Sequence, residues 1–234
     1  MDFNIQYLTY NIGMDKKEFY IEKIGQRGRI KIYIVDGFIV RKDLDEEFTN
    51  FGQHFRFKCI PEYEFWLDKE ASPNERKFYI DHLLIEWKLM KEGVSYKEAC
   101  TRADERERAE RKRHEKNNNV HLKIIGKVKD KIKIWTISGK TVRDSLDIDF
   151  TEGGHDYVYS YVPKDEVWID NDVTEKEKPY VILHELFERK LMKKGYDYNN
   201  AHVKASEIEW KARHDDEKLN KSLKKLGYEE VSNK

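Results

Sequence analysis

The sequence predicts an α+β fold built from two tandem copies of one unit, a small antiparallel sheet followed by a helical hairpin. Three observations predict it. Residues 32–107 recur without a gap as 134–209, an offset of 102 positions that pairs Gly37 with Gly139, Arg41 with Arg143, Trp66 with Trp168, His82 with His184, Glu86 with Glu188 and Gly93 with Gly195. Two copies at this period are a domain duplication, because a solenoid needs three or more repeats. Each copy opens on short alternating runs bounded by turn residues, the pattern of half-buried strands. Each closes on two long stretches of helical periodicity either side of a glycine.

Taken in order, residues 1–31 are an N-terminal segment with no exact counterpart later, in which Tyr20–Ile24 reads as a strand. The first repeat spans 32–116, a linker with the first strand region 117–130, the second repeat 131–215, and a polar tail 216–234. In the second repeat Lys131–Ile137 alternates, and Ser138-Gly139 reads as a hairpin turn. Leu146–Phe150, Tyr157–Val162 and Glu166–Asp170 read as three further strands, the last two split by a turn at Pro163-Lys164-Asp165. Asp172 or Thr174 can cap a helix from about Glu175 to Lys194. Gly195 stops it, Asp197 caps the next, and that helix runs from Tyr198 beyond His214. The first repeat follows the same plan, with Ser72-Pro73 as cap and first-turn proline. Asn117–Asn119 links the copies, and the tail from Asp216 reads as a polar helix that frays.

Composition narrows the function classes. Lys plus Arg and Asp plus Glu number 45 each, so no global field draws the chain to nucleic acid or to a membrane. Cys59 and Cys100 are the two cysteines, too few for a disulfide framework, which points to a reducing, cytoplasmic setting. The N-terminus has no basic region followed by an apolar run, so no signal peptide is expected. No stretch approaches the ~20 apolar residues of a membrane-spanning helix.

The chemistry is concentrated at His184-Glu185-Leu186-Phe187-Glu188. Residues four apart share one helix face, so His184 and Glu188 can present an imidazole and a carboxylate to one metal ion. Glu185 is turned by about 100° and can reach a water near that ion. This is the zinc-hydrolase layout H-E-x-x-H with glutamate in place of the second histidine. His202 lies seven residues past Gly195 and Glu188 seven before it, so an antiparallel hairpin brings them face to face. The expected ligands are His184, Glu188 and His202, and Glu185 is the expected catalytic base. A partly buried histidine within a solvated charge cluster is the plainer account. Against it, Leu183, Leu186, Phe187 and Leu191 already supply the apolar stripe. Gly153-Gly154-His155 reads as a loop tip whose histidine can contact substrate or an oxyanion, a second catalytic candidate. Glu166–Asp170 reads as an edge strand able to pair with an extended peptide, with Trp168 in the core.

In the first repeat His82 and Glu86 keep the pair, but Leu83 replaces the base and Cys100 replaces His202. It reads as a degenerate copy kept for packing or binding. A His–Glu–Cys set can hold zinc, although a buried free cysteine is the simpler account of Cys100. A carboxylate-bridged centre shared by all four helices is disfavoured, since each hairpin follows its own sheet.

The segment His184–Met192 with Gly195, Tyr198 and Ala201-His202, together with Asp149–His155 and Val167–Asp170, resembles uncharacterised metallopeptidase-like proteins of phages and bacteria. The resemblance implies a zinc-dependent peptidase acting on a peptide or protein, in the host cytoplasm or in a virus particle. Glu188 departs from the second histidine of the broader zincins, and a carboxylate there moves the site toward Mn²⁺ or Fe²⁺. The rival expectation is a non-catalytic structural or binding protein whose duplicated modules bury a shared interface.

Overall fold

The computed structural model describes residues 18–111, 120–129 and 131–231. The Asn117–Asn119 linker and the reading of the first 17 residues lie outside these. The first half runs β1 (Tyr20–Arg27), β2 (Ile30–Val35), α1 (Gly37–Asp43), β3 (Phe51–Gln53), β4 (Glu64–Asp68), α2 (Arg76–Lys91) and α3 (Tyr96–Arg111). The second repeats it as β5 (His121–Val128), β6 (Ile132–Ile137), α4 (Gly139–Ser145), β7 (Gly153–His155), β8 (Glu166–Asp170), α5 (Lys178–Lys193) and α6 (Tyr198–Arg213). It then adds α7 (Asp216–Leu226) and β9 (Tyr228–Glu230). The fold is α+β, with strand orders β1-β2-β4-β3 and β7-β8-β6-β5-β9 among the described residues.

Each sheet is covered on both faces. One side of the second sheet packs Ile134, Val167 and Ile169 against Val181, Leu183 and Leu186 of α5. The other side packs Ile137 and Trp168 against Val142 and Phe150. The first sheet repeats this with Ile32, Phe65 and Leu67 against Tyr79 and Leu83, and with Trp66 against Val40 and Phe48. Burial on both faces permits a parallel pair inside the sheet.

The sheets are accordingly mixed rather than wholly antiparallel: β2 runs parallel to β4, and β6 to β8. Ser138-Gly139 is a helix start, not a hairpin turn. The Ser138 side chain accepts from the Thr141 N–H and caps α4, which carries the chain across so that β8 returns in parallel. A Cβ at Gly139 would overlap the Asp170 carboxylate, so this crossing requires glycine. Leu146–Phe150 and Tyr157–Val162 are turns, not strands. Their amides bond to nearby carbonyls, Phe150 to Asp147 at 3.3 Å and Val162 to Tyr159 at 3.0 Å. Tyr159 and Tyr161 pack on Phe150 and Trp168 from these turns. In both halves the site helix starts later than Asp172, Thr174 or Ser72 would cap it, at Lys178 and Arg76.

The N-terminal segment has a counterpart after all. Tyr20 pairs with Val35 as His121 pairs with Ile137, and Tyr20 and His121 reach Glu64 and Glu166 at 2.6 and 2.7 Å. The turn after β5 is one residue longer than that after β1, which shifts the offset to 101 and hides the match. The tail does not fray. Leu219 and Leu223 of α7 are buried in the core of the second half, and β9 pairs with β5.

The two halves are bolted together by reciprocal buried ion pairs. Arg41 binds Asp68 of its own half at 2.7 Å and Glu177 of the other at 2.8 Å. Arg143 binds Asp170 of its own half at 2.5 Å and Glu75 of the other at 2.6 Å. Glu75 and Glu177 immediately precede α2 and α5, so this pseudo-twofold exchange fixes both site helices against one another. Among the described residues no helix is long and apolar enough to cross a membrane.

Candidate metal centre

Two helices and one tight connection build the site. Gly195 at φ 95° ends α5, and the Tyr196 N–H returns to the Leu191 carbonyl at 3.2 Å. The Asp197 side chain accepts from the Asn200 N–H at 2.9 Å and starts α6. Ala201 and Ala205 are fully buried and small, so α6 lies close against α5. His184 and Glu188 from α5 and His202 from α6 then meet.

Their facing atoms have the spacing of a single ion's ligands. His184 Nε2 is 3.1 Å from His202 Nδ1, His202 Nδ1 is 2.8 Å from Glu188 Oε2, and His184 Nε2 is 3.6 Å from the same oxygen. Donors about 2.0–2.1 Å from a tetrahedral metal stand about 3.3 Å apart, so these three fit one ion after small adjustments.

The far atom of every ligand is also held. His184 Nδ1 donates to Glu209 Oε2 at 2.8 Å, so Nε2 is the nitrogen that gives up its proton when an ion is taken up. His202 Nε2 donates to Glu47 Oε2 at 3.2 Å, which leaves Nδ1 for that role. The Tyr157 N–H donates to His155 Nδ1 at 3.2 Å, so His155 Nε2 carries a proton and donates to Glu188 Oε1 at 2.9 Å. That turns Oε2 toward the two imidazoles.

Electrostatics follow from these contacts. Burial alone would lower the His184 pKa, but Glu188 and Glu209 carry it well above the ordinary imidazole value. His202 is raised to about 9 by Glu188 and Glu47 against its own burial. Glu188 is held well below the usual carboxylate range by His155, His184 and His202, although burial opposes it. Glu185 is pushed up to about 7, chiefly by burial.

Glu185 lines the same cavity, about 550 Å³ between the halves, that both hairpins face. Its carboxylate packs over Gly153, whose missing side chain leaves it room. No protein-family model, no curated protein and no solved structure matches this chain. The reading of the site therefore rests on its own geometry.

Of the residues expected from the sequence, His184, Glu188 and His202 come together, with Glu185 beside them. His155 is not at a loop tip. It ends β7, is fully buried, and stands behind Glu188 rather than in the cavity. β8 is not an edge, because β7 covers it on one side and β6 on the other. Glu209 and Glu47 were not anticipated. Glu209 had a signal in its repeat partner Glu107, which holds His82 in the same way at 3.0 Å. Glu47 had none, since it comes from the other half, 155 residues from His202. Among the described residues no group of three potential ligands draws on both halves.

Proposed function

We propose that the second half is a metal-dependent hydrolase centre, a zinc peptidase-like site in which His184, Glu188 and His202 hold the ion and Glu185 is the general base. The observation that carries the reading is the donor trio at single-ion spacing with each ligand's far atom tied. A divalent ion held there supplies Lewis-acid activation of water and of a carbonyl at neutral pH. Glu185 takes the proton from the attacking water as its oxygen bonds to the carbonyl carbon. The same carboxyl then delivers that proton to the amine nitrogen as the C–N bond breaks. The cavity between the halves gives an extended peptide room beside the base.

Zn²⁺ suits the two imidazoles, while Glu188 also admits Mn²⁺ or Fe²⁺. The free thiols Cys59 and Cys100 support a reducing compartment, the cytoplasm of a host or an intracellular particle. Balanced charge favours a peptide or protein substrate over nucleic acid.

The rival is a non-catalytic module whose halves serve a buried interface, and the Arg41–Glu177 and Arg143–Glu75 exchange favours it. Metal analysis of protein purified without added ions separates the two. The hydrolase reading expects an ion that His202→Ala loses, and cleavage of a peptide library that a chelator stops and Zn²⁺, Mn²⁺ or Fe²⁺ restores. Unchanged metal content in His202→Ala, or no cleavage by the loaded protein, overturns it.

A further inference from the structure

The first half carries the same construction with different donors. His82 Nε2 is 3.6 Å from Glu86 Oε2, the same separation as His184 from Glu188. His82 Nδ1 donates to Glu107 Oε2 at 3.0 Å, so Nε2 is the ring nitrogen turned to the cavity side. Gln53 Nε2 donates to Glu86 Oε1 at 2.5 Å, as His155 does to Glu188, and turns Oε2 inward. Cys100 stands on α3 where His202 stands on α6, and ligand atoms of His82, Glu86 and Cys100 lie within 4.8 Å of one another.

Further acidic groups stand around the trio. Asp104, one helical turn past Cys100, has a buried Oδ1 that makes no hydrogen bond but pairs with His82 Nδ1 at 3.6 Å. Its Oδ2 is 3.9 Å from the Cys100 sulfur. Asp149 of the other half adds a further negative charge near Asp104. Three carboxylates, Glu86, Asp104 and Glu107, thus surround the His82 ring beside the Cys100 thiol and make a donor-rich pocket. Gln53 holds Glu86 in the orientation of a ligand, as His155 holds Glu188.

We propose that His82, Glu86 and Cys100 hold a second divalent ion, in a thiolate-ligated structural site that fastens α2 to α3. An imidazole, a carboxylate and a thiolate together select a borderline-soft ion, Zn²⁺ or Co²⁺, over Mg²⁺ or Mn²⁺. The site does no hydrolysis, because Leu83, buried in the core, occupies the position of Glu185 and offers no base. The inference does not rest on the hydrolase reading, since it uses other residues and another hairpin.

Loading the full chain with Co²⁺ tests it, because thiolate ligation produces a sulfur-to-cobalt charge-transfer band that imidazole and carboxylate do not. Wild-type protein is expected to show the band, with one ion per chain held by the first half in addition to any in the second. Cys100→Ser is expected to lose the band and one ion, whereas Cys59→Ser and His202→Ala retain the band. No band in the wild type, or a band that survives Cys100→Ser, overturns the proposal. Should Cys100→Ser fail to fold, thiol alkylation of the wild type decides: Zn²⁺ is expected to protect Cys100 and leave Cys59 unchanged, and no protection overturns the site. Loss of an ion in Cys100→Ser with none lost in His202→Ala would sink the hydrolase reading alone; the reverse pattern would sink this one alone.

Discussion

His155 and Gln53 occupy equivalent positions in the two halves, and each holds the Oε1 of its own half's site glutamate. His155 Nε2 donates to Glu188 Oε1 at 2.9 Å, and Gln53 Nε2 to Glu86 Oε1 at 2.5 Å. A shared geometry from two chemically different side chains marks the donor N–H, not the imidazole, as what the position supplies. His155→Ala should therefore weaken ion binding by the second half about 10–100-fold, the usual effect of removing a group that orients a ligand. His155→Gln should restore most of it. A chelator-competition titration reads both, and equal affinities for wild type and His155→Ala would remove the orienting role.

Glu185 approaches the donor trio without belonging to the His184–Glu188–His202 set. Glu185→Gln preserves size and hydrogen bonding but cannot accept a proton at neutral pH. The variant should fold, keep its metal, and lose about 10²–10⁴-fold in turnover. Loss of metal instead would make Glu185 a ligand, and full activity would place the base elsewhere.

Arg143 is buried between Glu75 of one half and Asp170 of the other. Arg143→Met leaves both carboxylates without their main partner in the interior. It should cost about 3–5 kcal/mol, as expected when one member of a buried ion pair is removed. Urea unfolding measures this, and a change below about 1 kcal/mol, the range of an exposed pair, would contradict the role assigned to the exchange.

Acid should loosen the same interface. Burial pushes Glu75 up, but Arg143 and Arg111 outweigh it and hold its carboxyl below the usual range. With the folded pKa depressed, its contribution is complete above the ordinary glutamate value of about 4.3. It is lost as pH falls from there through the folded value. Stability measured against pH should drop over that window, and Glu75→Gln should flatten the drop whatever it costs at neutral pH.

Leu223 tests whether α7 belongs to the fold. It is buried beside Leu219 in the core of the second half. Leu223→Ala should cost about 2–5 kcal/mol. A fraying tail would make the substitution neutral in thermal unfolding.

The sequence by itself determined the duplication, the α+β class, the α5–α6 hairpin and the convergence of His184, Glu188 and His202. Each of these depends on spacing along the chain: a repeat interval, a helical period, or equal distances either side of Gly195. Tertiary structure decided the rest. Tyr157–Val162 looked like a strand because tyrosines fall at every second position, but Tyr159 and Tyr161 pack on Phe150 and Trp168 from a run of turns while Tyr157 is exposed. The β1–β5 match was hidden by one residue in a turn, and only hydrogen-bond register reveals it. Glu47 reaches His202, and Arg41 reaches Glu177, only because the halves face each other. Such contacts join residues more than a hundred positions apart, and no local pattern encodes which buried charge will meet which.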